Sequence, residues 1–187
     1  MQNPRLAARY AKSLLDIAVE QNSLDAIYND MQGLDAVCNE SAEFVNLMRS
    51  PIVKADRKQA VLNELTKGGT NSLTTAYLNL IVHKGREYFL PEIISSFIDL
   101  YKKNKNIVDV HLTTAQALDD DMKQALLSKI QLQFPGYSID LHTKVNPDLI
   151  GGFVLESNNN MFDASIIRDL KDIRKQFMNN IYVPNIR

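Results

Sequence analysis

The sequence predicts a mostly helical α+β protein in two parts: a six-helix bundle over residues 1–105 and a small α+β domain over residues 106–187. Three observations predict it. Apolar residues recur at helical spacing from Leu6 to Tyr101. From Val108 the period drops to two, as in a strand with one face buried. A hydrophobic fraction of 45% is ordinary for a chain that buries a core.

The helices follow in order. Asn3 is a good N-cap before Pro4, and Leu6, Tyr10, Leu14 and Ile17 mark the first helix, with Ala7, Ala11 and Ala18 beside them. Ser23 is expected to cap the second, whose stripe is Leu24, Ile27, Met31, Leu34 and Cys38. Ser41 opens a short third helix that Ser50-Pro51 ends. The fourth runs from about Lys54 to Thr66, with Val61, Leu62 and Leu65, and stops at Gly68-Gly69. Asn71 or Ser72 caps the fifth, which ends near His83 with Gly85 as a left-handed C-cap. Pro91 begins the sixth, with Ile94, Phe97, Ile98 and Tyr101 on its apolar side. Short connections between six helices imply a bundle.

Beyond the lysine-rich helix end at Lys102–Lys105, Val108, Val110 and Leu112 alternate with Asp109, His111 and Thr113. Asp119-Asp120-Asp121 places acidic groups at the N-terminus of a helix lined by Met122, Leu126 and Ile130, which Pro135-Gly136 ends. Ile139, Leu141, Thr143 and Val145 form a second alternating set, with Asp140, His142 and Lys144 on the other face. Short strands around Gly151–Ser157 and Met161–Asp163 are joined by an asparagine turn. A last helix carries Ile166, Leu170, Ile173 and Phe177, and the tail from Asn179 is expected to fray.

Charge and chemistry narrow the function. Lys and Arg number 21 against 22 Asp and Glu, and the balance holds in both halves, 13 against 12 up to Lys105 and 8 against 10 after it. That removes the usual electrostatic motive for nucleic-acid binding. The lone Cys38 forms no intrachain disulfide, no stretch approaches the ~20 apolar residues of a membrane span, and the N-terminus lacks the apolar core of a secretory signal. A soluble intracellular protein, not inserted in a membrane, is the expectation. His83, His111 and His142 are far apart in sequence, without a carboxylate or cysteine at the spacing of a metal motif, so surface histidines are expected. Cys38 falls on an apolar stripe and reads as a packed thiol. Gly151-Gly152 lacks the Lys-Ser/Thr of a phosphate loop and reads as a bulge or a close crossing of two backbones. Catalytic residues, cofactors and metals are therefore not expected.

The fifth helix is over-apolar: seven of the ten residues from Leu73 to Val82 are hydrophobic. Leu73, Ala76, Tyr77 and Leu80 cluster on one side, with Leu78 and Val82 nearly opposite. Such a helix is either central in its bundle or covered by another chain, and periodicity alone leaves both open. With the alanine-rich first helix it could form a groove for a partner helix.

Ile139-Asp140-Leu141, then Leu149-Ile150-Gly151-Gly152-Phe153-Val154-Leu155-Glu156-Ser157-Asn158, resembles the signature of the delta subunit of bacterial ATP synthase, the family of the mitochondrial oligomycin-sensitivity-conferring protein. Ala8-Arg9-Tyr10-Ala11-Lys12-Ser13-Leu14 is similar to the family's opening motif, and Lys84-Gly85-Arg86 with Leu90-Pro91 to its link between fifth and sixth helices. Asp163-Ala164-Ser165 resembles its Asp-Gly-Ser segment, with Ala164 in place of the usual Gly. Ile167-Arg168-Asp169 departs from the basic, glycine-containing run often found there. The likeness spans nearly the whole chain.

The resemblance implies a non-catalytic stator subunit at the cytoplasmic face of the bacterial inner membrane. Its bundle would bind the N-terminal helix of an alpha subunit of the catalytic head between the first and fifth helices. Its C-terminal domain would meet the C-terminal ends of the stalk b subunits. By position, Tyr10, Ser13, Leu14 and Ile17, with Tyr77, Leu80 and Ile81, are the groove residues it implies. The rival from a different class is a stand-alone helical RNA-binding module, against which the balanced charge counts.

Overall fold

Capping chemistry and apolar spacing place the N-terminal helices close to where the structure, a computed structural model, has them. It describes residues 4–116, 123–124, 127–128, 130–131, 136–157 and 160–179. The helices are α1 (Pro4–Glu20), α2 (Leu24–Glu40), α3 (Ala42–Arg49), α4 (Ala55–Thr66), α5 (Ser72–His83) and α6 (Leu90–Asn104). The Asn3 cap, the Asp119–Asp121 cluster, Met122, Leu126, Pro135 and most of the asparagine turn lie outside the described residues.

Ser41 caps α3 by accepting from the Phe44 N–H at 3.2 Å, and Asn71 caps α5 by accepting from the Leu73 N–H at 2.9 Å. Gly85, at φ +62°, closes α5: its own N–H reaches the Val82 carbonyl and the Arg86 N–H the Ile81 carbonyl, so two orphan carbonyls are satisfied at once. Asn22, at φ +51°, ends α1 in the same way. Two expectations are corrected. Ser23 occupies the N-cap position of α2, but its hydroxyl makes no capping bond and is buried without a partner among the described residues. The sixth helix starts at Leu90, because a 3₁₀ turn over Glu87–Phe89 precedes it and leaves Pro91 inside the first turn.

Ala7, Ala11, Leu14 and Ala18 are the buried side of α1, which packs chiefly on α6. Small residues there let the backbones approach, and Leu14 on α1 is as fully buried as Ile93, Ile94 and Phe97 on α6. Polar ties pin the register. Asp30 on α2 accepts from the Asn71 N–H and the Thr74 hydroxyl at the start of α5, at 2.9 and 2.6 Å. Lys58 on α4 is buried and donates to the Met48 carbonyl and the Glu87 carboxylate, at 2.9 and 3.0 Å. Leu65, expected inside, is exposed, and the inward side of α4 is carried by Lys58, Leu62 and Thr66.

The chain divides into two compact units, Met1–Asn104 and Lys105–Arg187. The second holds a mixed four-stranded sheet of β1 (Ile107–Thr114), β2 (Ser138–Val145), β3 (Gly152–Ser157) and β4 (Asn160–Ser165), followed by α7 (Ile166–Asn179), in strand order β2-β1-β3-β4. β1 and β2 run parallel, the other pairs antiparallel, so helical residues between them (123–124, 127–128, 130–131) serve the crossover a parallel pair requires. Val108, Val110 and Leu112 are buried on one face of β1, and Ile130 of the crossover packs with Val108 and Val110, flanked by Ile139, Leu141 and Leu155.

Gly152 explains the glycine pair. At φ +76°, a Cβ there would lie 2.1 Å from the Ala164 carbonyl oxygen, so only glycine allows β3 and β4 to close at this end. Ala164, opposite Phe153, has no positive φ, which is why alanine serves where the family usually has glycine.

Candidate functional site

The residues to locate first are those on α1 and α5. On α1 the buried stripe leaves Tyr10, Ser13 and Ile17 along one flank, half-buried, exposed and exposed. On α5, Thr74, Tyr77, Leu78, Ile81 and Val82 face inward, while Ala76 and Leu80 are exposed. Periodicity left the outward face of α5 open; packing decides it, because Leu78 and Val82 are used by the bundle's own core. Tyr10 and Tyr77 link the two helices. Burial pushes the Tyr77 phenol's pKa up, and the neighbouring Tyr10 phenol adds to the shift.

The seven residues thus separate into two layers. Leu14 and Ile81 are fully buried and Tyr77 is nearly so, while Ile17 and Leu80 are 39% and 46% exposed. Leu14 and Ile81 offer no surface in this conformation, whereas Tyr10, Ser13, Ile17 and Leu80 do. The Tyr77 hydroxyl is buried and has no hydrogen-bond partner among the described residues. Ala76, Asn79 and Leu80 border a cleft of about 520 Å³ shared with Ala55, Asp56 and Gln59 of α4. Leu80 is therefore an exposed apolar residue at the rim of this cleft.

Cys38 is half-buried, and desolvation, with Asp35 next in weight, pushes its thiol up to about 11, as for a packed thiol and not a nucleophile.

A second exposed surface was not assigned residue by residue from the sequence. The α7 stripe of Ile166, Leu170, Ile173 and Phe177 is exposed throughout, Phe177 at 77%, and Met161 and Phe162 of β4 are exposed too. The spacing was legible as amphipathic; that the stripe stays about half exposed or more among the described residues was not. Ser165 caps α7 by accepting from the Arg168 N–H at 3.3 Å, and Asp163 accepts from the Ser165 N–H at 2.9 Å. Those bonds to Ser165 hold the Asp163 carboxyl below its usual pKa.

The histidines are exposed, as expected, and the sheet brings two of them together. Far apart in sequence, His111 and His142 are register partners on β1 and β2, with rings stacked at 5.1 Å. Asp109 and Asp140, two positions earlier, share their face.

A helical bundle with apolar residues exposed beside a buried core, followed by a small mixed-sheet unit with an exposed amphipathic helix, presents the apolar surfaces of a protein that docks onto others. The comparisons specify the family. The family model described as the ATP synthase delta (OSCP) subunit matches residues 6–177. The "ATP synthase subunit delta" of Cytophaga hutchinsonii is 33% identical over 181 residues, 97% of this chain and 98% of that one. That of Pelodictyon phaeoclathratiforme is 34% identical over 170 residues, covering 91% and 95%. A chain in the cryo-EM structure of the Toxoplasma gondii mitochondrial ATP synthase hexamer shares the fold, with a TM-score of 0.73 at 23% identity over 95% of this chain and 98% of that one. The chain belongs to the ATP synthase delta (OSCP) subunit family and, like its relatives, is not an enzyme in its own right.

Proposed function

We propose that this chain is a stator subunit, which holds the catalytic head of a proton-translocating ATP synthase to its peripheral stalk and resists rotor torque during ATP synthesis. In this reading residues 1–105 take the N-terminal helix of an alpha subunit along α1 and α5, and residues 106–187 meet the C-terminal ends of the stalk b subunits. The protein sits peripherally at the cytoplasmic face of the bacterial inner membrane; among the described residues no helix is long and apolar enough to cross it. The observation that carries the reading is the exposure of Ile17 and Leu80 on helices whose inward faces are sealed. A clamp under torque needs slow dissociation, and slow dissociation comes from apolar anchors that exclude water more than from rim charges. The uncovered stripe of α7 supports a second contact at the other end of the chain.

Titrating a peptide of the alpha-subunit N-terminus onto the wild type and onto Leu80→Asp tests it. Because Leu80 is exposed in the free chain, the variant should fold; docking should weaken by about 2 kcal/mol or more, since the carboxylate would be buried unpaired. Unchanged affinity in a folded variant would remove Leu80 from the interface.

A further inference from the structure

The chain repeats one short pattern in two strands: Asp109-Val110-His111 in β1 and Asp140-Leu141-His142 in β2. β1 and β2 pair in parallel with Asp109 opposite Asp140 and His111 opposite His142. Alternation sends Val110 and Leu141 to the core side, and all four polar residues to the opposite face. Ligating atoms of Asp109, Asp140 and His142 all lie within 4.8 Å of one another, and His142 Nε2 is 3.5 Å from an Asp140 carboxylate oxygen. His111 stacks on His142, and Glu156 of β3 is the cross-strand neighbour of His111 on its other side.

We propose that this face of β1 and β2 holds one divalent transition-metal cation of the zinc class, ligated by Asp109, Asp140 and His142, with water completing the shell; His111, stacked on His142, orients that ring. Bonds of roughly 2.1 Å put ligand atoms about 3.4–4.2 Å apart, so small side-chain rotations bring the three ligating atoms onto the ion. These side chains are half-buried or exposed and so can make such rotations. An imidazole with two carboxylates favours zinc, nickel or copper over magnesium or calcium, which demand six or more oxygens. Asp109 and Asp140 already have partners, and a carboxylate's four lone-pair sites allow it to keep one while binding a cation. The bound ion would join β2, an edge strand whose one partner in the sheet is β1, to the centre of the sheet. It thereby stabilises the C-terminal unit by mass action.

Calorimetric titration of the untagged full chain with zinc chloride should show one saturable equivalent and a raised melting temperature. The double variant His111→Ala, His142→Ala should lose that equivalent, and Asp109→Asn should weaken it roughly tenfold. His83→Ala, on α5, should leave it unchanged. Circular dichroism checks that the variants fold; if the double variant does not, Asp109→Asn decides. No saturable uptake by the wild type, uptake unaltered by the folded double variant or by Asp109→Asn, or loss on His83→Ala overturns the site. So does magnesium binding as tightly as zinc, which would reduce the site to its two carboxylates.

Discussion

The two units differ in how much of their apolar surface they bury within themselves. In the bundle, every described helix sends several side chains into a shared interior, and Leu14, Ile27, Met31, Ile81, Ile94 and Phe97 have almost no exposure. Its exposed apolar residues are correspondingly few and identifiable, Ile17 and Leu80 among them. In the C-terminal unit, burial among the described residues concentrates on β1 and Ile130, while the whole stripe of α7 stays exposed. A bundle that is closed can bind one helix at a defined place without rearranging. A unit whose last helix is uncovered has apolar surface to contribute only when something else covers it. The difference fits the proposed division of labour, in which one unit grips the head and the other is completed by a stalk.

The sharpest way to break this comparison is to truncate one side chain in each unit and measure denaturant stability. Phe97→Ala should cost about 3–5 kcal/mol, because a large fully buried ring leaves a cavity. Leu170→Ala, half-exposed on α7, should stay within about 0.5 kcal/mol in the free chain. A loss of several kcal/mol at Leu170 would mean α7 is packed after all. Lys58→Ala should cost about 3 kcal/mol, because it leaves Glu87 part-buried without its cation and frees the Met48 carbonyl; stability equal to wild type would show that the pair contributes nothing net. Tyr77→Phe sharpens the account of the inward side of α5. It removes a buried hydroxyl that has no partner, so stability should be unchanged or up to about 1 kcal/mol higher. A marked loss in thermal melts would reveal a bond to that hydroxyl.

The smallest effect concerns pH. The Asp163 carboxyl is held below its usual pKa by its bonds to Ser165, so it binds its proton less readily folded than unfolded. Its contribution is therefore present above the unfolded carboxylate pKa and is lost as pH falls through the lower folded value. Asp163→Asn should flatten the acid limb of a stability–pH curve for α7 helicity slightly; an unchanged acid limb would detach Asp163 from the cap.

Local chemistry was legible wherever one residue type answers one backbone need. Ser41 and Asn71 cap as expected, Gly85 takes the left-handed turn, and the switch to period two at Val108 marks β1. The glycine pair, too, was readable as a close crossing, and Gly152 against the Ala164 carbonyl is that crossing. Less legible was Ser23, whose type suits a cap but whose backbone (φ −111°, ψ 15°) is not accompanied by a capping bond. Among the residues proposed for the groove, the sequence could not separate Leu14 and Ile81, which are buried, from Ile17 and Leu80, which are exposed. That separation depends on which neighbour each flank meets, a long-range fact. The same holds for His111 and His142, which only strand pairing makes neighbours.

By itself, then, the sequence determined the elements, their ends and the family, because caps, turns and hydrophobic period act over a few residues and leave their mark in order along the chain. Only the tertiary structure decided which apolar side chains remain outside and which polar ones meet. Burial and side-chain proximity are properties of pairs of distant segments, and the energy that selects among the pairings comes from the packed whole.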